Sequence, residues 1–401
     1  MNEEVTSLII IGNGFDKQCK LPSSFAEYVK SQHDSLLTSI GDAYQKFEKA
    51  RNIQTRITYS SEEGMLGEFQ ERYLCLSDDA NFWLVLLIIK MINNPNPNWC
   101  DIEKTIYDFF TATPISITQV EDYVKELKTK KSNSDFCIFD DKKDAMYDFT
   151  GIVLYLLLKI SSKCDEFLVS PFLFLQSELK KLENDFAEYL RISLNNEEIN
   201  KRYQFDAITL LGRLAASEYV NVLNFNYTQP VILDQDTKDQ AGSSSIKGEK
   251  RIVHVHGDLK NDDIILGIDS KDIAVNSDIY DFTKTHRQLS LHGIYSENKL
   301  LPDTINKIIF YGHSLNDQDY SYFQAIFDRY DIYESNVTLI FCYTIYDEAE
   351  KDNIIKRQQM LISKLIDKYS KTLTNKAHGS NLFHKLLLEE RIVLRSIEPI
   401  V

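Results

Sequence analysis

Four short runs carry side chains able to bind or react. Ile11-Gly12-Asn13-Gly14-Phe15-Asp16 ends a β-branched stretch. Two glycines at a strand-to-helix turn let backbone N–H groups approach a phosphate, which makes Gly12, Asn13 and Gly14 candidate contacts. The third glycine of a dinucleotide fingerprint would fall at Lys17, so a tight turn explains the run equally well. Asp16 is a second polar group near such a ligand or, more simply, the N-cap of the next helix. Asn224-Phe225-Asn226-Tyr227-Thr228 offers carboxamides to a ligand, or an Asx-turn in which asparagine bonds its downstream backbone. In His254-Val255-His256-Gly257-Asp258 the imidazoles stand two apart, on one face of a strand, where both could meet one ligand. No further metal ligands accompany them, so no metal is expected, and only His256 abuts the glycine. The fourth run is Phe310-Tyr311-Gly312-His313-Ser314-Leu315-Asn316-Asp317. A hydrolase nucleophile elbow needs glycine where Asn316 stands. A glycine–polar–serine loop before a helix suits a phosphate or ribose hydroxyl better, unless Ser314 is only a loop hydroxyl and Asp317 an N-cap.

Each run closes a strand-like segment. Ser7–Ile11 reads as a strand buried on both faces, as in a parallel sheet. Further strand-like segments are 219–225, 251–256, 264–268, 305–311 and 337–342, with helical spacing at 318–330 and 347–369. Between the first strand and the second the pattern is helical, most clearly at 66–91, 144–160 and 172–194. Trp99-Cys100-Asp101-Ile102-Glu103 opens another helix with Asp101 as N-cap. Asp101 and Glu103, two apart, would fall on different helix faces, so a catalytic carboxylate pair is not expected there. One loop-like stretch, 239–249, surrounds Gly242. The fold expected is α/β: a Rossmann-like parallel sheet with a large helical insertion after its first strand. Residues 1–25 and 205–345 would form the core and 26–204 the insertion, with helices and a final strand from 346–401 packing on the core. A parallel sheet would gather all four runs at its carboxyl edge, and a nucleotide site is the favoured reading.

Composition narrows the classes. Only 14 of 401 residues are glycine and 8 are proline, which speaks for long helices and against a β-sandwich or linker protein. With 45 Lys and Arg against 60 Asp and Glu the formal charge is −15, so general nucleic-acid binding is not expected. The six cysteines form no CxxC, hence no zinc ribbon. The acidic start is no signal peptide, and the apolar runs 82–89 and 152–158 are too short to cross a membrane. A cytoplasmic protein is expected.

The run from Leu8 to Phe25, with Gly12-Asn13-Gly14-Phe15-Asp16 and Leu21-Pro22-Ser23-Ser24, resembles the opening of the AbiH family of bacteriophage abortive-infection proteins. Trp99 to Glu103, Asn224 to Thr228, His254 to Gly257 and Gly312 to Asp317 resemble the rest of that family's pattern. The likeness spans roughly residues 5 to 345 and implies a bacterial protein of phage defence. More distantly, the order of motifs is similar to that of sirtuin-like NAD-binding domains. That similarity implies NAD as substrate or ligand. It makes Asn226 the residue that orients the ribose and a water, and His256 the general base. Gly12, Asn13, Gly14 and Asp16, with Tyr227, Gly312, His313 and Ser314, become the cofactor-binding set. The chain departs from the pattern at Asn13, at Asp16 where serine is usual, at Phe25 in place of arginine, and at Thr228 in place of aspartate.

Without a zinc ribbon, protein deacylation is not implied. NAD glycohydrolysis, cleavage of the nicotinamide–ribose bond, is the activity left, with the insertion as a sensing or assembly element. The alternative is a non-catalytic nucleotide-binding sensor. The resemblance leaves open a phage-derived trigger, a partner protein and a homo-oligomer.

Overall fold

The computed structural model describes residues 6–52, 58–59, 74, 76–77, 79–94, 101–111, 117–129, 136–137, 145–216, 220–230, 249–291 and 301–400. Trp99, residues 66–73 and the 239–248 part of the expected loop lie outside them. Among the described residues no helix is long and apolar enough to cross a membrane.

Strands β1 (Ser7–Ile11), β4 (Val220–Asn224), β5 (Glu249–His254), β6 (Lys307–Tyr311), β7 (Thr338–Tyr343) and β8 (Ile392–Ser396) form one six-stranded sheet, in the order β5-β4-β1-β6-β7-β8. All pairings in it are parallel. Two-residue strands β2 (Thr58–Tyr59) and β3 (Phe136–Cys137) pair apart from it. Counting only the large sheet's strands, the order is 3-2-1-4-5-6, the doubly wound arrangement that reverses direction between its first and fourth strands. Here that switch point lies between β1 and β6.

The alternation of side chains explains why β1 is apolar throughout. Leu8 and Ile10 feed the core on one face, with helices α12 (Tyr320–Arg329), α13 (Lys351–Ser370) and α14 (Lys376–Leu388). Ile9 and Ile11 feed the other, with α1 (Asn13–Gln18) and α10 (Glu197–Ala215). Helix α10 straddles the boundary expected at 204/205.

A third core belongs to the helices between β1 and α10. These are α2 (Phe25–Gln32), α3 (Asp34–Asn52), α4 (Phe82–Ile92), α5 (Ile102–Thr111), α6 (Ile117–Thr129), α7 (Ala145–Ile160), α8 (Cys164–Val169) and α9 (Pro171–Asn195). Helix α4 starts at Phe82 because the Asn81 side chain accepts from the Trp83 and Leu84 N–H groups, while Glu178 accepts from Phe82.

Residues 264–268 correct the sequence expectation: they are not a strand of the sheet. Ile264, Leu266 and Ile268 are buried in the helical core instead. Their donors go elsewhere: the Leu266 N–H to Glu183, Ile265 to the His256 carbonyl, and Ile268 to Phe282. Among the described residues its one strand-like pairing is an isolated bridge between Ile268 and Thr283. The run is buried, but a carboxylate from α9 replaces the neighbouring strand. Helix α11 (Lys284–Leu291) follows this segment.

Candidate functional site

The carboxyl ends of β1, β4 and β6, with His256 just past β5, line one cavity of about 580 Å³. That volume lies within the range of roughly 300–1,000 Å³ of small-molecule sites. All ten residues singled out as catalytic or binding candidates border it: Gly12, Asn13, Gly14, Asp16, Asn226, Tyr227, His256, Gly312, His313 and Ser314.

The glycines are used first by the protein itself. Gly14 donates its N–H to the Gly312 carbonyl at 2.8 Å. Gly312 sits at φ +69°, and a Cβ there would lie 2.3 Å from the Phe15 nitrogen. A Cβ on Gly14 would lie 2.7 Å from the Gly312 Cα. The β1 and β6 loops therefore interlock backbone to backbone across the switch point, and the Gly14 N–H is not turned to the cavity.

Asp16 does not cap a helix. The N-cap of α1 is Gly12, with no side-chain capping bond. The buried Asp16 carboxyl instead accepts from Thr228 Oγ1 at 2.6 Å and from Tyr203 Oη at 2.9 Å. Burial pushes its pKa up to about 7, against the lowering effect of the hydrogen bonds from Thr228, Tyr203 and Asn226. The long-range partners Tyr203 and Thr228 took this side chain from the cap, and local sequence gives no sign of either.

In the β4 run the Asx-turn is realised on Asn224, and the side-chain amide of Asn226 goes to the protein's own backbone. Asn224 closes an Asx-turn, its Oδ1 accepting from the Asn226 N–H at 2.9 Å. Asn226 sends its Nδ2 to the Gly12 carbonyl at 3.2 Å, which ties β4 to β1. Tyr227 spends its hydroxyl on the Ile265 carbonyl.

The two histidines of the β5 run part company. His254, the last strand residue, is held in the turn by the Asn226 carbonyl and the Gln229 side chain. His256, 3% exposed, lies 3.1 Å through Nε2 from Asp319 Oδ1, but off the direction a hydrogen bond needs, so that nitrogen stays unsatisfied. Burial lowers the His256 pKa to about 4, helped by Lys284 and opposed by Asp319. The imidazole is therefore neutral at pH 7. His313 accepts the Leu315 N–H at Nδ1 and sets Nε2 3.3 Å from Asp319 Oδ2. No shared metal site results: among the described residues no group of three or more His, Cys, Asp or Glu could hold a metal ion.

Sequence reasoning missed the carboxylates opposite. Asp101 and Glu103 both line the cavity. Asp101 does cap α5, as expected, its Oδ1 accepting from the Lys104 N–H at 2.8 Å. An N-cap residue lies outside the helical spiral, so the two-apart rule that separated it from Glu103 does not hold. Its Oδ2 accepts from Asn316. Glu103 meets Lys284, which also meets Asp319. Phe25 stacks on Phe186 with ring centroids 4.0 Å apart, an apolar wall shared between α2 and α9. Nothing local in the sequence marks Lys284 or Asp319 as a site residue, since both act through tertiary contacts.

A family model described as bacteriophage abortive infection AbiH matches residues 8–343, from β1 to the end of β7. The chain belongs to the AbiH family. No curated protein and no solved structure matches it. The matched span contains every element that borders the cavity except α13, and five of the six strands of the sheet.

Proposed function

We propose that this AbiH protein acts in phage defence by cleaving the nicotinamide–ribose bond of NAD, with Asn226 and His256 at the reacting end of the cavity. The observation that carries the reading is a buried imidazole, neutral at pH 7, bordering a nucleotide-sized cavity at the switch point of a doubly wound sheet, with an unsatisfied Nε2. A neutral imidazole can accept a proton from water or a ribose hydroxyl, and a positioned base contributes roughly 10²–10⁴ in rate. Departure of nicotinamide leaves an oxocarbenium-like sugar. Asp319, which borders the same cavity and whose carboxyl is held, against burial, well below its usual range by Lys284, offers a negative charge to that sugar. The stacked Phe25 and Phe186 offer an apolar face to a ring.

Two departures from the sirtuin-like pattern meet in the structure. Asp16 stands where serine is usual and Thr228 where aspartate is usual, and the two are hydrogen-bonded at 2.6 Å.

The test is nicotinamide release from NAD by the purified chain, with Asn226→Ala and His256→Ala beside the wild type. Turnover lost in both variants supports the reaction and the residues. Turnover retained in both removes the residue assignment. A second reading, a nucleotide-binding sensor without turnover, is favoured by one observation: Phe25, which stands where the sirtuin-like pattern has arginine, is stacked on Phe186 and supplies no cation to the cavity. NAD binding without nicotinamide release, and no His256-dependent NAD loss in phage-infected cells, would decide for the sensor.

A further inference from the structure

Lys284 is 1% exposed, although lysine is almost never fully buried unless paired. Its Nζ is 2.7 Å from Glu103 Oε2 on α5 of the insertion, 2.6 Å from Asp319 Oδ1, and 3.1 Å from the Gln318 carbonyl. Asp319 in turn sits between His256 and His313, one carboxylate oxygen toward each. Three parts of the chain meet at this ammonium: the helical insertion, the segment after β5, and the turn after β6. None of the four sequence motifs contains it.

We propose that Lys284 is a positioning residue for His256, acting through Asp319, and that the helical insertion holds it in place through Glu103, so that the reacting end of the cavity is complete only with the insertion docked. The proposal rests on the catalytic reading of His256, but its geometry does not. The groups facing the pair are Asp101 and Glu103 from α5, Asp319 from the turn before α12, Tyr322 from α12 and His313 from the loop after β6. One ammonium serves two carboxylates. Burial raises both, but Lys284 outweighs it at Asp319 and holds that carboxyl well below its usual range, whereas Glu103 stays raised at about 8. Removing the lysine charge would leave Asp319 negative against His256 and favour the imidazolium.

The experiment follows the His256 ring by NMR titration in the full chain labelled at histidine, with His256→Gln assigning the signal. Expected are a wild-type midpoint at least about one unit below the ordinary value of roughly 6.5, a rise of about one unit or more in Lys284→Met, and a return toward wild type in Lys284→Arg. An unchanged midpoint in Lys284→Met, or a wild-type midpoint near 6.5, would overturn the assignment; the wild-type arm stands even if the variant fails to fold. Hold by the insertion is read separately, from acylation of Lys284 by an amine-reactive reagent in wild type and Glu103→Ala. Loss of one of its two carboxyl hydrogen-bond partners should raise its reactivity about tenfold. No change would mean that Glu103 does not hold the lysine. If nicotinamide is released, the acid limb of its pH profile should move with the NMR midpoint. If none is released, the glycohydrolase reading fails while the titration still judges Lys284.

Discussion

The two loops at the switch point interlock so closely that Gly312→Ala should damage the fold before any ligand is considered. Gly312 has φ +69°, and a Cβ there would stand 2.3 Å from the Phe15 nitrogen, 2.6 Å from the Gly14 carbonyl carbon and 2.9 Å from the Gly14 Cα. All three neighbours are backbone, so no rotamer change relieves them. Left-handed backbone costs an alanine about 1–2 kcal/mol. Overpacking against neighbours that can only move as a unit adds about 1–3 kcal/mol. The sum, about 2–5 kcal/mol, is a large part of a typical stability of roughly 5–15 kcal/mol. Gly212→Ala in α10 is the control, because an added Cβ there meets nothing within 4 Å, and it should stabilise by about 0.4–1 kcal/mol. Urea unfolding of both variants without nucleotide, followed by circular dichroism, should move the midpoints in opposite directions. A loss below about 1 kcal/mol in Gly312→Ala, less than the backbone term alone, would refute the interlock. A glycine kept for a phosphate predicts the reverse pattern: stability retained and nucleotide affinity lost.

Asp16→Asn should remove a pH dependence whose sign can be worked out. The folded pKa, about 7, lies above the ordinary 3.8, so the stabilisation is fully present below about pH 3.8 and lost as pH rises through 7. Wild type should therefore lose about 4 kcal/mol relative to Asp16→Asn between pH 4 and 8. Taking the difference cancels the opposite slope from His256, whose lowered pKa costs stability as pH falls. Parallel curves of unfolding midpoint against pH would contradict the burial of an uncompensated carboxyl. Arg287→Ala should cost about 3 kcal/mol, because it strips the buried Glu183 of a two-pronged partner and leaves only the Leu266 N–H and the more distant Lys180. Amide exchange should accelerate at 264–268 and 284–291, and unchanged exchange there would show that another contact holds this segment to α9.

Local sequence was enough for the strands, the parallel sheet and the gathering of four motifs at one edge. A β-branched run that is apolar at every position can only be buried on both faces, and glycine or asparagine at its end marks where the chain turns. The Asp101 cap and the insertion helices Ala145–Ile160 and Pro171–Asn195 were legible for the same reason: each depends on residues within one turn of itself. Among the described residues the helix expected over 66–91 begins only at Phe82, where the distant Glu178 meets its first N–H. Tertiary structure decided which polar atoms remain for a ligand. Asp16 is read as a cap until Tyr203, from α10, claims it; Gly14 is read as a phosphate contact until Gly312, from another loop, takes its N–H. Residues 264–268 have the composition of a strand, but Glu183 from α9 supplies the acceptor that a neighbouring strand would have supplied. The Glu103–Lys284–Asp319 chain joins residues far apart in sequence, and its members are ordinary surface types until burial makes each depend on the others. Hydrophobic pattern and turn chemistry are short-range properties. The pairing of buried charges is set by the docking of whole elements, and only the assembled fold determines it.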